Sequence, residues 1–489
     1  MPSLEAHFEP FRQQIIGEGA CFESPYGTKL IRYFDWVAGG RLYRPIEDRI
    51  ATVFGPFIAN THTETSETGS RMTQCYRYAH DFIKKHVNAG PNDIIITAGS
   101  GMTTVVNKLQ RILSMRSGNK RGKSDFTDIN EKPVVFITHM EHHSNHTSWY
   151  ETIADVVMIP PTPSLLIDLS ALERSLEEYK NRRFKIGAFT ACSNVTGIIT
   201  PYHEMAAIMH KHQGLCFVDF AASAPYVHID MHPDDPMQKL DAIYFSPHKF
   251  LGGPGSSGVL IFDRSLYQSE IPDNPGGGTV DWTNPWGEYK YVDDIEARED
   301  GGTPGFIQAF RAALSMELKD KMGVDKMMQR EEQLVEIAMK GLKTVPGLKI
   351  LAENNIHRLG IISFYHAKIH FNQMCRMLSD RFGIQVRGGC ACAGTYGHFL
   401  LKVTYDRSHA ITEKINQGDL SDKPGWVRLS LHPVMKDEDI YFFVDAMKQI
   451  VSNFPEWKKD YIYDPRKNEF QHKSQKICDN NWTEEWFKL

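Results

Sequence analysis

Apolar positions follow two spacings along this chain, and each spacing predicts a kind of element. Short continuous apolar runs occur at Asp93–Thr97, Pro133–Thr138, Val156–Ile159, Ile186–Thr190, Leu215–Asp219, Ala242–Ser246 and Gly258–Phe262. Runs of this length, rich in β-branched residues, predict strands buried on both faces. Between them, apolar residues recur at helical spacing over Thr103–Leu113, Leu169–Tyr179 and His203–His212. This alternation predicts an α/β fold with a mostly parallel, seven-stranded sheet covered by helices.

The flanks read differently. The N-terminal side shows a helical pattern over Leu4–Ile16, an extended piece at Leu30–Phe34, an apolar stretch at Ile46–Phe57, a polar one at Asn60–Gly69 and a helix over Ser70–Val87. After Thr303 the pattern predicts helices over Phe306–Lys321, Lys326–Leu342, Phe371–Arg381 and Asp437–Asn453, with strands at Gly360–Phe364 and Trp426–Leu431. That is the pattern of a smaller α+β domain. The expected division is an N-terminal segment over 1–45 packing with the small domain, a large α/β domain over 46–310, the small domain over 311–454, and a C-terminal extension over 455–489. No role is assigned to the extension.

Bulk properties narrow the function classes. A length of 489 residues fits two or three structural units. The formal net charge of −5 argues against a dedicated nucleic-acid surface. The local basic cluster at Lys120, Arg121 and Lys123 reads as a solvated loop. The cysteines show no disulfide-framework spacing, which predicts a reducing, cytoplasmic setting. The N-terminus lacks the basic start and apolar stretch of a secretory signal, and no apolar run reaches the ~18 residues of a membrane span.

Candidate chemistry gathers at the ends of the predicted strands. The loop Thr97–Thr104 (TAGSGMTT) brings glycine backbone and threonine hydroxyls to a helix start. Such a loop can hold a phosphate or simply turn the chain. It is neither a Walker loop nor a dinucleotide fingerprint. Glu141-His142-His143-Ser144-Asn145 follows the strand at Pro133–Thr138. Paired histidines there are polar loop residues or metal ligands, but the usual carboxylate and Cys partners are missing, so no metal site is assigned. Asp219 ends its strand, where a carboxylate caps a loop or keeps a pyridine nitrogen protonated, the state that makes pyridoxal 5′-phosphate (PLP) an electron sink. Lys249 follows Ser246-Pro247-His248 and precedes a glycine-rich turn. A lysine so placed is desolvated, and desolvation turns its amine into a nucleophile for an aldehyde.

The order of these features, with Ser193-Asn194 between them, resembles the class V aminotransferase family of fold-type I PLP enzymes, nearest to the cysteine desulfurases and selenocysteine lyases. The resemblance runs from about Tyr33 to Ile450. It implies that Lys249 binds PLP covalently, Asp219 pairs with the ring nitrogen, and His142 stacks on the ring as a catalytic residue. It implies further that Asn194 lies near the phenolic oxygen. Gly101, Met102, Thr103, Ser246 and His248 would form the phosphate cradle. Gly276–Thr279 resembles the segment through which a partner subunit reaches the phosphate, so Thr279 and a homodimer are implied. Arg298–Pro304 (REDGGTP) resembles the family's R-x-E-x-G-T-P segment, with Asp300 in place of Glu. Two departures stand out: Ala222 replaces the Gln or His that usually bonds the phenolic oxygen, and Thr104 stands where many relatives carry Glu.

Arg387-Gly388-Gly389-Cys390-Ala391-Cys392-Ala393 resembles the desulfurase motif R-x-G-x-x-C-A. Cys392 then holds the sulfur-accepting position, with Cys390 the alternative. Arg428, together with Arg387, would bind the substrate α-carboxylate; guanidinium forks suit such bidentate contacts. The implied function is C–S or C–Se cleavage of an amino acid, with persulfide formation on Cys392 and transfer to a sulfur-acceptor protein. The insertion Gly394–Gly425 keeps other readings open: an aminotransferase, an epimerase or another PLP lyase that bypasses Cys392. A catalytically inactive binding protein and a nucleotide-dependent oxidoreductase are the readings from other classes. The intact Lys249 and Asp219 oppose the first, and the missing dinucleotide fingerprint opposes the second.

Overall fold

The computed structural model describes residues 3–116, 126–355, 357–474 and 481–489, so Lys120, Arg121 and Lys123 lie outside the described residues. The chain opens with a helix, α1 (Leu4–Arg12). Seven strands then build the central sheet: β1 (Asp93–Ala98), β2 (Val134–Ile137), β3 (Asp155–Met158), β4 (Lys185–Thr190), β5 (Leu215–Asp219), β6 (Ala242–Phe245) and β7 (Gly258–Asp263). Their order is β1-β7-β6-β5-β4-β2-β3. Neighbours from β3 to β6 run parallel, while β7 runs antiparallel to both β6 and β1. The α/β class and the seven-stranded, mostly parallel sheet are thus observed.

Burial explains the continuous apolar runs. All four residues of β2 are 0% exposed. Val134 and Phe136 enter one apolar cluster, and Val135 and Ile137 enter another on the opposite face. With both faces covered, the period-two pattern of a half-buried strand disappears. The topology also fixes the site. The loops after β1, β2, β4, β5 and β6 all emerge at one edge of the sheet, where open α/β folds place ligands.

A second sheet follows, made of β8 (Leu348–Ile350), β9 (Ile361–His366), β10 (Arg387–Gly389) and β11 (Trp426–Ser430), antiparallel in the order β8-β9-β11-β10. The N-terminal stretch joins its edge. Arg32 and Tyr33 pair in parallel with Ile384 and Gln385. Phe34 then accepts the Ser430 N–H at 2.8 Å.

Several boundaries differ from the sequence reading. Helix α1 stops at Arg12 rather than Ile16, because Ile15 leaves the helix to bridge Tyr43. The stretch Ile46–Phe57 becomes a short helix, Arg44–Arg49, that widens into a π-type turn and tightens at Gly55-Pro56. The helix expected to end at Asn453 runs from Asp437 to Trp457. Pro455 lies in its last turn, where the missing N–H costs one hydrogen bond and does not stop the helix. The C-terminal extension forms a hairpin, Tyr461–Asp464 with Glu469–His472. The stretch Gly394–Gly425, expected to be an insertion, holds two helices, Gly394–Leu400 and Tyr405–Asn416. The first seats Tyr396, fully buried, in a cluster with Met140, Val195 and Trp426. No helix among the described residues is long and apolar enough to cross a membrane.

Candidate active site

A cavity of about 240 Å³ opens at the strand-end edge of the central sheet. It gathers Gly101, Met102, Thr103, His142, Asn194, Asp219, Ser246, His248 and Lys249 from five separate loops. Each loop has a physical reason for its shape. After β1, Gly99 adopts φ +53°, and a Cβ there would collide with the Thr104 side chain at 2.5 Å. Thr104 therefore packs over the turn. The Met102 N–H donates to Ser246 Oγ at 2.9 Å, and His248 Nδ1 donates to the Ser100 carbonyl at 2.8 Å. These two bonds tie the loop after β6 to the helix start after β1. The result is a cradle of backbone N–H groups and hydroxyls at a helix N-terminus, a standard arrangement for an anion.

Lys249 is desolvated in this cavity. Burial lowers its amine to about 8; Asp219 pulls the value back up, while Arg428 and Arg387 push it down. Asp219 is 3% exposed and accepts the Ala221 N–H at 2.8 Å. Burial raises its carboxyl to about 6, against the pull of that N–H and of Lys249. A buried carboxylate facing a cavity, with no ion pair at contact distance among the described residues, lacks a cationic partner.

His142 caps the helix His143–Tyr150 and accepts the Ser144 N–H on Nδ1 at 3.1 Å. That bond sets the Nε2–H tautomer. Burial, then Lys249, His143 and Arg428, lower its pKa to about 3. A neutral ring with fixed orientation is suited to stacking on an aromatic cofactor. Beneath it, Glu141 is 2% exposed. Its Oε1 accepts from Thr138 N–H, Thr138 Oγ1 and Thr190 N–H, and its Oε2 accepts from Asn145 Nδ2 at 2.7 Å. Burial still drives this carboxyl up to about 8. Asn145 Oδ1 in turn accepts from Tyr244 OH at 2.6 Å and Trp149 Nε1 at 3.2 Å. This network makes the floor under His142 rigid.

The outer wall comes from the second sheet. Arg387 and Arg428 stand directly opposite each other on β10 and β11. Asp35 lies between them, accepting from Arg428 Nη2 at 2.9 Å and Arg387 Nε at 3.0 Å. Arg428 is 4% exposed, donates a second bond to the Asn194 carbonyl at 3.3 Å, and leaves its Nε without a partner among the described residues. Asn194 donates Nδ2 to the Ala391 carbonyl at 2.6 Å, while its buried Oδ1 has no partner among the described residues.

The cysteine loop is strained and held. Ala391 and Cys392 both adopt left-handed conformations, with φ +50° and +56°. Each such non-glycine residue costs about 1–2 kcal/mol. Three bonds hold the strain: Asn194 to Ala391 O, the His143 N–H to Cys392 O at 2.8 Å, and the Gly394 N–H to His143 Nε2 at 2.9 Å. Cys392 is exposed, whereas Cys390 packs against an apolar cluster.

Two further positions from the sequence reading bear on the cavity. Thr279 is fully buried but outside the cavity of its own chain; its hydroxyl donates to the Gly276 carbonyl at 2.7 Å, and its loop packs on Gly302. Ala222 lines the cavity and leaves it without the side chain expected to bond a phenolic oxygen. Asp300, for its part, accepts Tyr76 OH at 3.1 Å, and Tyr76 also bonds Thr97 at the foot of the phosphate loop. Sequence reasoning missed Asp35, Tyr76 and the separate role of His143. Asp35 and Tyr76 sit in no local motif, and His143, although part of the Glu141–Asn145 stretch, is defined like them by a partner far along the chain.

The chain as a whole is similar to known proteins. The profile of the Aminotransferase class-V family matches residues 32–443. The chain belongs to the class V aminotransferase family. Within it, a protein of Staphylococcus epidermidis named a probable cysteine desulfurase is 28% identical over 384 residues, covering 78% of this chain and 87% of that relative. A probable cysteine desulfurase of Halalkalibacterium halodurans is 27% identical over 377 residues, covering 75% of this chain and 85% of its own. Among solved structures, the cysteine desulfurase of Thermococcus onnurineus superposes with a TM-score of 0.72 at 20% identity, covering 91% of this chain and 98% of that one. At that identity the likeness speaks for the fold. The cavity residues of this class V family member also fit PLP by their chemistry: a depressed lysine, a buried carboxylate short of a cation, an unpaired Asn194 oxygen and an anion cradle.

Proposed function

We propose that this protein is a PLP-dependent enzyme that cleaves the C–S bond of cysteine, or the C–Se bond of selenocysteine, with Cys392 as the sulfur acceptor. The observation that carries this reading is the strained Ala391-Cys392 turn, held by Asn194 and His143 beside the lysine cavity. Strain kept in place by bonds to the site is characteristic of working loops.

Lys249 would hold PLP, Asp219 its ring nitrogen, His142 its face, and Met102, Thr103, Ser246 and His248 its phosphate. When bound, PLP supplies an electron sink for the bond electrons at the substrate Cα. Arg428 and Arg387 bind the α-carboxylate and so orient the substrate. Lys249, once free, takes the Cα proton and returns protons to the carbon skeleton. The Cys392 thiolate attacks the substrate sulfur. A Cys392 S–S bond forms, the substrate Cβ–S bond breaks, and its electron pair ends in a C–H bond of alanine. The persulfide then passes to an acceptor thiol. A second copy of the chain would bring its Gly276–Thr279 segment to the phosphate end, with the Thr279 hydroxyl released from the Gly276 carbonyl.

The test is turnover of cysteine by the holoenzyme, with alanine and sulfide measured together. Wild type should yield them in equal amounts in the presence of a thiol. Cys392→Ser should yield neither, and Cys390→Ser should retain both. Undiminished sulfide from Cys392→Ser would leave this mechanism untenable.

A further inference from the structure

The helix Glu67–His86 turns its buried face toward the foot of the phosphate loop. Tyr76 and His80 lie one turn apart on that face, with ring centroids 4.3 Å apart. Both reach Thr97 near the end of β1. Thr97 Oγ1 is 3.2 Å from Tyr76 OH and 3.1 Å from His80 Nε2. Tyr76 OH also donates to Asp300 Oδ1 at 3.1 Å. All four residues are buried, Asp300 the most exposed of them at 9%.

Proton counting gives this chain of bonds a direction when Asp300 is ionised. A hydroxyl donates once and accepts up to twice. Tyr76 spends its proton on the Asp300 carboxylate, so its oxygen accepts from Thr97. Thr97 Oγ1 then accepts from His80, whose Nε2 carries the one ring proton. Burial lowers the His80 pKa to about 3 and keeps that ring neutral. The Tyr76 oxygen is the middle of the chain, and its loss breaks the link between the two ends.

The two ends lead to different parts of the phosphate site. Beyond Thr97 the backbone runs through Ala98 into the turn at Gly99 and on to the Met102 N–H. Beyond Asp300 the Gly302 N–H donates to the Gly277 carbonyl at 2.8 Å. A Cβ on Gly301 would lie 2.1 Å from the Asn274 carbonyl oxygen, so the loop after Asp300 rests directly on the chain that enters the Gly276–Thr279 segment. One hydroxyl thus ties the phosphate loop to the segment assigned above to the phosphate end.

We propose that Tyr76 is a positioning residue for the cofactor phosphate, its hydroxyl holding the phosphate loop and the Gly276–Thr279 segment in fixed relation. The proposal rests on the PLP reading above. Tyr76 does not line the lysine cavity and touches no reacting atom; it acts through Thr97 and Asp300. Its effect should therefore appear only with a ligand that carries a phosphate.

The test compares two aldehydes. Cofactor-free protein is titrated with PLP and, separately, with pyridoxal, which has the same ring and aldehyde but no phosphate. The adduct trapped by borohydride at each concentration gives the affinity. Burial lifts the Asp300 carboxyl to about 7, so the titrations belong at about pH 8.5, where it is ionised. Tyr76→Phe keeps the ring and removes the hydroxyl. PLP should then bind about five- to tenfold more weakly, as the loss of a buried hydrogen-bonded link requires, while pyridoxal binds as it does to wild type. Thr97→Val, which removes the neighbouring hydroxyl at nearly equal volume, should show the same selectivity. Equal shifts for the two aldehydes, or no shift for either, would overturn the proposal. Wild-type protein that traps neither aldehyde would overturn the PLP reading, and the proposal with it.

Discussion

Lys249, Asp219, His142 and Asn194 each sit at or a few residues beyond the end of a central strand, whereas Arg387, Arg428 and Asp35 meet from two strands of the second sheet and the N-terminal stretch. The floor of the site is therefore local in sequence and the wall is not. On the floor, adjacent residues work together. His142 presents its ring while Glu141, one position earlier, anchors the turn beneath it. On the wall, one carboxylate from residue 35 fixes two guanidiniums hundreds of positions away. The floor depends on burial and the wall on charge placement, so the two should fail differently when perturbed.

The largest effect should come from the floor. Lys249→Ala is expected to lose the borohydride-trapped PLP adduct and to lower turnover by about 10³-fold or more, since nucleophile and proton carrier vanish together. A trapped adduct in that variant would move the anchor elsewhere. The wild-type amine carries a pH signature as well. With its pKa lowered to about 8, Lys249 is protonated and unreactive below that value and free above it. PLP capture by the cofactor-free protein should thus quicken as pH rises and level off just above 8. An ordinary lysine would keep accelerating toward about 10.4.

The wall should respond next, and in KM rather than kcat. Asp35→Asn removes the one carboxylate between Arg387 and Arg428 and leaves two like charges opposite each other. A loss of about 1.4 kcal/mol in substrate binding corresponds to a tenfold rise in KM for cysteine. An unchanged KM would show that Asp35 is only structural and that the arginines hold their geometry without it.

This difference also explains what the sequence reveals. Strand-end residues are legible because a buried run fixes where its own C-terminal end lies, and Asp219 and Lys249 follow directly. Asp35 is hidden: it follows Tyr33-Phe34 in a piece that reads only as extended, and its partners lie on strands whose register no local pattern specifies. The stretch Gly394–Gly425 is legible as a long connection between Cys392 and Arg428, but its first helix is not. Gly394 and Gly397 weaken helical propensity there, and Tyr396 buried among Met140 and Val195 supplies the stability instead.

A subtler break of the floor is Glu141→Gln. Glu141 Oε1 accepts three donors, and a glutamine can keep its carbonyl oxygen there. Its amide N–H₂ must then face Asn145 Nδ2. Asn145 has no free flip, because its Oδ1 holds Tyr244 and Trp149. Above pH 8, where the Glu141 carboxyl is ionised and accepts only, the variant opposes two buried donors that wild type does not, at a cost of about 1–3 kcal/mol, so the comparison belongs at about pH 9. Denaturant melts should show that loss while PLP content stays high. Unchanged stability would mean that the network rearranges freely.

The smallest effect should appear where floor and wall touch. His143 belongs to the floor helix but accepts the Gly394 N–H from the cysteine loop at 2.9 Å. His143→Ala deletes that one acceptor, worth about 0.5–1.5 kcal/mol, while the backbone bond to Cys392 O remains. The turn at Ala391-Cys392 should then relax part of the time. Alkylation of Cys392 should speed up a few-fold and cysteine turnover should fall by a similar factor, with Cys390 unaffected. Peptide mapping after brief iodoacetamide treatment separates the two thiols. The same bond predicts a pH response, because Nε2 accepts only while the ring is neutral. Burial, then Lys423, lower the His143 pKa below its ordinary 6.5, so the latch holds at neutral pH and opens only on acidification. Wild-type Cys392 should therefore gain accessibility below that range, against the general slowing of thiol alkylation in acid, while His143→Ala should show only the slowing. If the two proteins follow the same pH curve, His143 does not latch the loop, and the strain at Cys392 is held by Asn194 and the backbone alone.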